Sequence, residues 1–125
     1  MTYPKLPIKI INTYFEDYDT KERYDIIICG FVLEHVDNPR EILKKYKKML
    51  TPNGKIIITV PNAGTLNRRI GYEAGLLKDM YELSEHDRRC GHKRYYSMKS
   101  LDDDVKNCGL KCISREGLFL KPFTT

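Results

Sequence analysis

The chain has 125 residues, 41% apolar and 31% charged, with 22 Lys and Arg against 17 Asp and Glu and a formal net charge of +5. That balance suits one globular domain with a real core and excludes a disordered chain. No apolar run approaches the ~20 residues of a membrane-spanning helix, and residues 1–9 hold no continuous apolar stretch of the kind a secretory signal needs.

In chain order, Ile8-Lys9-Ile10-Ile11 is short, β-branched and apolar and reads as a strand. Residues 13–23 are polar and acidic and read as loop. Tyr24-Asp25-Ile26-Ile27-Ile28-Cys29 is continuously apolar after its first two residues and ends at Gly30, the pattern of a strand buried on both faces of a parallel sheet. Asp37 or Asn38 can cap a helix whose first turn suits Pro39, and Ile42, Leu43, Tyr46, Met49 and Leu50 share one helical face. Thr51-Pro52-Asn53-Gly54 reads as a stop and turn. Lys55 to Val60 is a second buried strand, closed by Pro61. Strand, helix and strand within about forty residues make a βαβ unit.

Beyond it the pattern loosens, with helical stretches expected over 66–70 and 76–83. Ser97 or Ser100 can cap a further helix, with Leu101, Val105 and Cys108 on one face and Gly109 ending it. Residues 110–116 read as a last strand. The four cysteines (Cys29, Cys90, Cys108, Cys112) form no paired framework, so free thiols and a cytoplasmic location are expected. Lys44, Lys45, Lys47 and Lys48 read as the wet face of the first helix. Arg68, Arg69, Arg88, Arg89, Lys93 and Arg94 form a second basic group, but no nucleic-acid motif accompanies it and such a partner is not expected. His86, Cys90, His92, Cys108 and Cys112 have spacings that match no zinc module.

The run from Tyr24 to Pro39, with Leu33-Glu34-His35 at its centre, resembles the segment that follows the fourth strand of class I S-adenosylmethionine-dependent methyltransferases. Leu50-Thr51-Pro52-Asn53-Gly54-Lys55 resembles the Leu-x-Pro-Gly-Gly turn before their fifth strand, and Val60-Pro61-Asn62 the end of that strand. Gly91-His92-Lys93-Arg94 is similar to a Gly-His-x-Arg segment of many members, and Asn107-Cys108-Gly109-Leu110 to the entry to their sixth strand.

The resemblance implies a single, incomplete methyltransferase domain over residues 1–125. Its fold class would be α/β: a partial Rossmann-like sheet running from the family's third or fourth strand through the sixth, with helices packed on it. The implied cofactor is S-adenosylmethionine, lying across the C-terminal ends of the strands. Glu16 and Asp17 would stand near its adenine amine, and Gly30, Phe31 and Leu33 would line its methionine end. The acceptor would be a small or sugar-like molecule, with His35 or His92 as the base, since an imidazole titrates near neutrality. Some quinone and RNA methyltransferases hold a divalent metal with Glu-x-x-Glu-His. Phe31 replaces the first of those glutamates here, so no metal is expected.

Two features depart from the family. Gly-x-Gly-x-x-Gly, the loop that approaches the cofactor, occurs nowhere in the chain. Only about twenty residues precede Tyr24, too few for the first two strands and their helices. The run 119–123 resembles a segment that relatives continue into a helix and a final strand. A sheet of this extent leaves an open apolar edge at Tyr24–Gly30. Two outcomes are expected: Ile8–Ile11 moves over to pair with that edge, or a partner chain, possibly a second copy forming a homodimer, pairs there. A remnant or accessory protein that no longer binds the cofactor is the competing reading.

Overall fold

The computed structural model describes residues 7–118. Two strands and four helices follow one another in the order β1 (Tyr24–Gly30), α1 (Pro39–Lys47), β2 (Leu50–Thr59), α2 (Leu66–Glu73), α3 (Glu85–Arg89) and α4 (Met98–Asn107). β1 and β2 pair in parallel, with Ile27 opposite Ile56, Cys29 opposite Ile58 and Gly30 opposite Thr59. The expected βαβ unit is therefore present, and both strands end on the same side of the fold.

Local chemistry accounts for the connecting helix. The Asn38 side chain accepts from the Glu41 amide at 3.3 Å, and Pro39 opens the first turn, where its missing N–H costs nothing. The apolar stripe buries Ile42 and Leu43 and half-buries Tyr46. These side chains meet Cys29, Val32, Leu33 and Val36 from β1 and the loop after it, with Tyr96 and Cys108 closing the core. Helix α4 backs α1. Its cap is a reciprocal Ser97–Ser100 box, and the Arg40 guanidinium pairs with Asp104 at 2.7 Å across the two helices. Gly109, at a φ of 68°, turns the chain out of α4, the left-handed ending that glycine adopts without strain.

Thr51-Pro52-Asn53-Gly54 does not stop the chain. It is taken into β2 as an irregularity: Leu50 pairs with Tyr24, yet Lys55 already pairs with Ile26. The extra residues loop outward, and the Thr51 hydroxyl donates to Asp25 at 2.8 Å. Gly54 passes so close to the Tyr24 carbonyl that a Cβ there would sit 2.8 Å from its oxygen, which is why only glycine fits.

Three expected elements are not formed. Ile8–Ile11 is an exposed, unpaired coil, since a short β-branched run needs a neighbour to complete its ladder and none is offered on either side. It does not move over to β1, so the first of the two edge outcomes fails. Residues 110–116 likewise form no ladder, with Ile113 facing water. The helix expected over 76–83 is a series of turns. Arg68 draws the Met80 and Glu82 carbonyls onto its guanidinium at 2.7 and 2.6 Å, and the Asp79 side chain accepts from the Tyr81 amide, which leaves those groups unavailable to a helix. The sheet is thus a two-stranded remnant of a Rossmann-like α/β fold. The run 119–123 lies outside the described residues.

Candidate active site

Three segments meet at the ends of the parallel strands: residues 31–38 after β1, residues 60–65 after β2, and residues 91–96 between α3 and α4. The last two are tied by backbone, with Ala63 donating to Tyr96 at 2.7 Å and Tyr96 to Pro61 at 3.1 Å. The first and last are tied by Arg94. Its Nη1 donates to the carbonyls of Leu33 (2.7 Å) and Val36 (2.6 Å), and its Nη2 to that of Asp37 (3.1 Å). Lys93 adds a backbone bond to the Glu34 carbonyl at 2.7 Å and an ion pair with Asp37. A planar guanidinium suits this task because its donors reach several carbonyls at once.

This clamp lays His92 against the Leu33-Glu34-His35 loop. The His35 and His92 rings stand edge to face, with centroids 4.8 Å apart. Glu34 lies beneath them, 0% exposed, and neither of its carboxylate oxygens has a hydrogen-bond partner. Burial pushes its carboxyl above the usual range, while the two histidines pull the other way. On its far side His92 Nδ1 faces Asp87 at 3.7 Å. Asp87 is itself buried, yet hydrogen bonds from Ser84 and Tyr95 outweigh the burial and hold its carboxyl below the usual range. Two imidazoles between two buried acids can accept a proton and have the resulting charge balanced.

Among the described residues, Glu34, His35 and His92 are the His, Cys and acid donors that converge, their ligand atoms lying within 4.8 Å of one another. Three donors fall short of the usual four-ligand closed set, and Phe31 stands where the resemblance places a further acid. Cys108 is buried against the Arg40 carbonyl at the end of α4, away from His86 and Cys90 on α3, so the five-residue zinc set is not assembled.

The residues expected around the cofactor divide. Gly30 is exposed at the end of β1, and a Cβ there would meet nothing nearer than the Thr59 hydroxyl at 3.6 Å, which leaves the strand end open to a ligand. Phe31 follows with its ring half exposed and a φ of 53°, a left-handed conformation that is strained for a bulky side chain. These two fit one wall of an S-adenosylmethionine site. Leu33 does not, because its side chain is fully buried in the core and only its carbonyl faces this region, onto Arg94. Glu16 and Asp17 are not brought to the site either. The Glu16 carbonyl accepts from Lys45 and that of Phe15 from Tyr46, which anchors this loop beside the last turn of α1, at the opposite end of β1 from Gly30. A shallow groove of about 210 Å³ lined by Tyr18, Tyr24, Ile26 and Tyr46 lies at that same far end, away from the histidines. Arg94 and Asp87 are the site residues that sequence reasoning left without a role. The Gly-His-x-Arg pattern was a signal for the first, and the Ser84-x-x-Asp87 capping box the only one for the second.

A parallel βαβ unit with ionisable groups gathered beyond the C-terminal ends of its strands is the ligand-binding arrangement of open α/β proteins. The comparisons with known proteins make this specific. The family model described as a methyltransferase domain matches residues 5–115, and the chain belongs to that family, whose cofactor is S-adenosylmethionine. It is similar to the ubiquinone biosynthesis O-methyltransferase of Rickettsia bellii, 29% identical over 123 residues, 94% of this chain and 48% of that protein. Proteins of the same name from Rickettsia conorii (32% identical, 61% of this chain and 25% of the relative) and Shewanella pealeana (28%, 82% and 42%) are also similar. The chain therefore spans about half, or less, of the length of these relatives. No helix among the described residues is long and apolar enough to cross a membrane.

Proposed function

We propose that this chain carries the acceptor-activating half of an S-adenosylmethionine-dependent methyltransferase whose acceptor is a small hydroxylated molecule. The observation that supports the reading is the convergence of His35, His92 and Glu34 beside the open strand end at Gly30. The relatives' name, an O-methyltransferase of ubiquinone biosynthesis, agrees with a small-molecule acceptor. When bound, the cofactor supplies a methyl carbon already electrophilic on its sulfonium, so the protein's work is alignment and proton removal. Gly30 and Phe31 hold one side of the donor. An acceptor hydroxyl lying against the histidine pair loses its proton to an imidazole as its oxygen takes the methyl carbon and the sulfonium–carbon bond breaks. Glu34 and Asp87 offset the charge left on the ring. The glycine-rich wall of the site comes from residues that this chain does not contain.

The test is calorimetry with S-adenosylhomocysteine on the protein completed by that missing half, followed by methyl-transfer assays. Micromolar binding is expected. His35→Ala and His92→Ala are each expected to keep that binding, and at least one should lose about 10²- to 10⁴-fold in transfer rate. Absence of binding would favour the accessory reading, and full activity in both variants would remove the base from the histidines.

A further inference from the structure

The sheet has a face that nothing covers. Side chains alternate along a strand, so Ile27 and Cys29 of β1 and Ile56 and Ile58 of β2 point to one side, while Ile26 and Ile28 of β1 and Lys55 and Ile57 of β2 point to the other. The first set lies toward the core under α1. On the second, Ile26, Ile28 and Ile57 are 60%, 73% and 50% exposed, and Ile28 and Ile57 are direct cross-strand partners. The outer edge of β1 has no strand beside it among the described residues. Parallel strands with continuous apolar sequence are normally covered on both faces, and an exposed apolar edge is a template for pairing.

We propose that this face and the β1 edge together are the docking surface for the complementary half of the methyltransferase domain: a polypeptide that adds a strand beside β1 and lays an apolar helix over Ile26, Ile28 and Ile57. The proposal rests on the methyltransferase reading and adds where and how the missing half is held. Three observations favour this occupant. The bare face and open edge adjoin, and a strand followed by its crossover helix covers both at once, as α1 does on the other face. The relatives hold about as much sequence again as this chain spans, enough for such units. The docked strand would end beside Gly30, next to the site it has to complete. A second copy of this chain fits less well. A two-fold pair would bring two β1 edges together yet supply neither a helix for either bare face nor a glycine-rich loop.

The probe is the part of the Rickettsia bellii relative that this chain does not span, supplied as a separate polypeptide and also as a direct fusion. The fusion raises the effective concentration to about millimolar and so removes weak affinity as a reason for failure. Sedimentation velocity should show a one-to-one complex. Hydrogen exchange at the amides of Asp25 to Gly30 should slow about tenfold or more in complex and fusion alike. Ile28→Lys, at a side chain already in water, should leave the circular dichroism of the chain unchanged while weakening the complex at least about tenfold, or about 1.4 kcal/mol. A folded fusion whose β1 amides exchange as fast as those of the chain alone would overturn the proposal. So would dimers of this chain that protect β1, persist when the probe is added and dissolve in Ile28→Lys, because the surface would then belong to a second copy. If the complex forms but binds no S-adenosylhomocysteine, the docking surface stands and the methyltransferase reading falls.

Discussion

The two faces of one small sheet have opposite fates. On the inner face, Cys29, Ile56 and Ile58 join Ile42, Leu43 and Tyr96 in a closed core. On the outer face, residues of the same type one position along the same strands are bare. Sequence cannot separate them, because an unbroken isoleucine run says only that both faces are meant to be covered. The difference lies in which covering element the chain carries: α1 follows β1 and folds back over the inner face, and no described helix does the same for the outer.

Truncation on the covered face gives the largest expected effect. Leu43→Ala leaves a hole in a fully buried site and should cost about 2–5 kcal/mol in urea denaturation. A two-stranded sheet has little stability in reserve, so this variant is expected to be largely unfolded at 37 °C. A bare-face truncation as costly as this one would show that the outer isoleucines are covered in solution, and would break the contrast.

Arg94→Ala comes next. Three carbonyls lose a charged donor and at least two face a part-buried environment, which should cost about 2–3 kcal/mol. Arg94→Lys should recover only part of this, since an ammonium does not fork across the Leu33, Val36 and Asp37 carbonyls. The specific readout is the edge-to-face contact of His35 and His92 in proton NMR, expected to vanish in the alanine variant even where the core stays folded.

The βαβ unit was legible because each of its parts is local: an apolar run, a capped helix with a proline in its first turn, a second apolar run. His35 and His92 were legible as candidates because their motifs are short. Their meeting was not, because it depends on an arginine 58 residues downstream of a carbonyl it binds. Leu33 was misplaced for a related reason: motif position shows that a residue is near the site, not whether its side chain faces ligand or core. Ile8–Ile11 and residues 110–116 have strand composition but lack neighbours, and a ladder is a property of two segments. Glu16 and Asp17 follow a loop that the Lys45 and Tyr46 side chains anchor at the wrong end of β1 for a cofactor site, an attachment that no pattern in the loop itself reveals.

Glu34→Gln probes the site's own cost to the fold. Burial raises the folded-state pKa of Glu34 above its unfolded value of about 4.3, so its stabilising contribution is complete below that value and is lost as pH rises through the folded one. At pH 7 the ionised carboxylate is therefore a burden. Glutamine should gain about 1 kcal/mol in thermal denaturation at pH 7 and nothing at pH 4, while transfer activity in the completed protein falls. A variant less stable at pH 7 than the parent would mean that the carboxylate has a compensating partner in solution.

The smallest effect is the most informative about the two faces. Ile28→Thr keeps the β-branched shape that suits a strand and removes apolar surface that is already mostly in water. In the chain alone it should change stability by no more than about 0.5 kcal/mol. In the completed protein the same side chain lies beneath a helix, and burying a hydroxyl in place of a methyl there should cost more than about 1 kcal/mol. The ratio of the two values, read from denaturation of the chain with and without its complement, measures how far the outer face has been turned into a second inner one. Equal values in both settings would mean that whatever joins this chain leaves Ile28 in water, and the symmetry between the faces would be one of sequence alone.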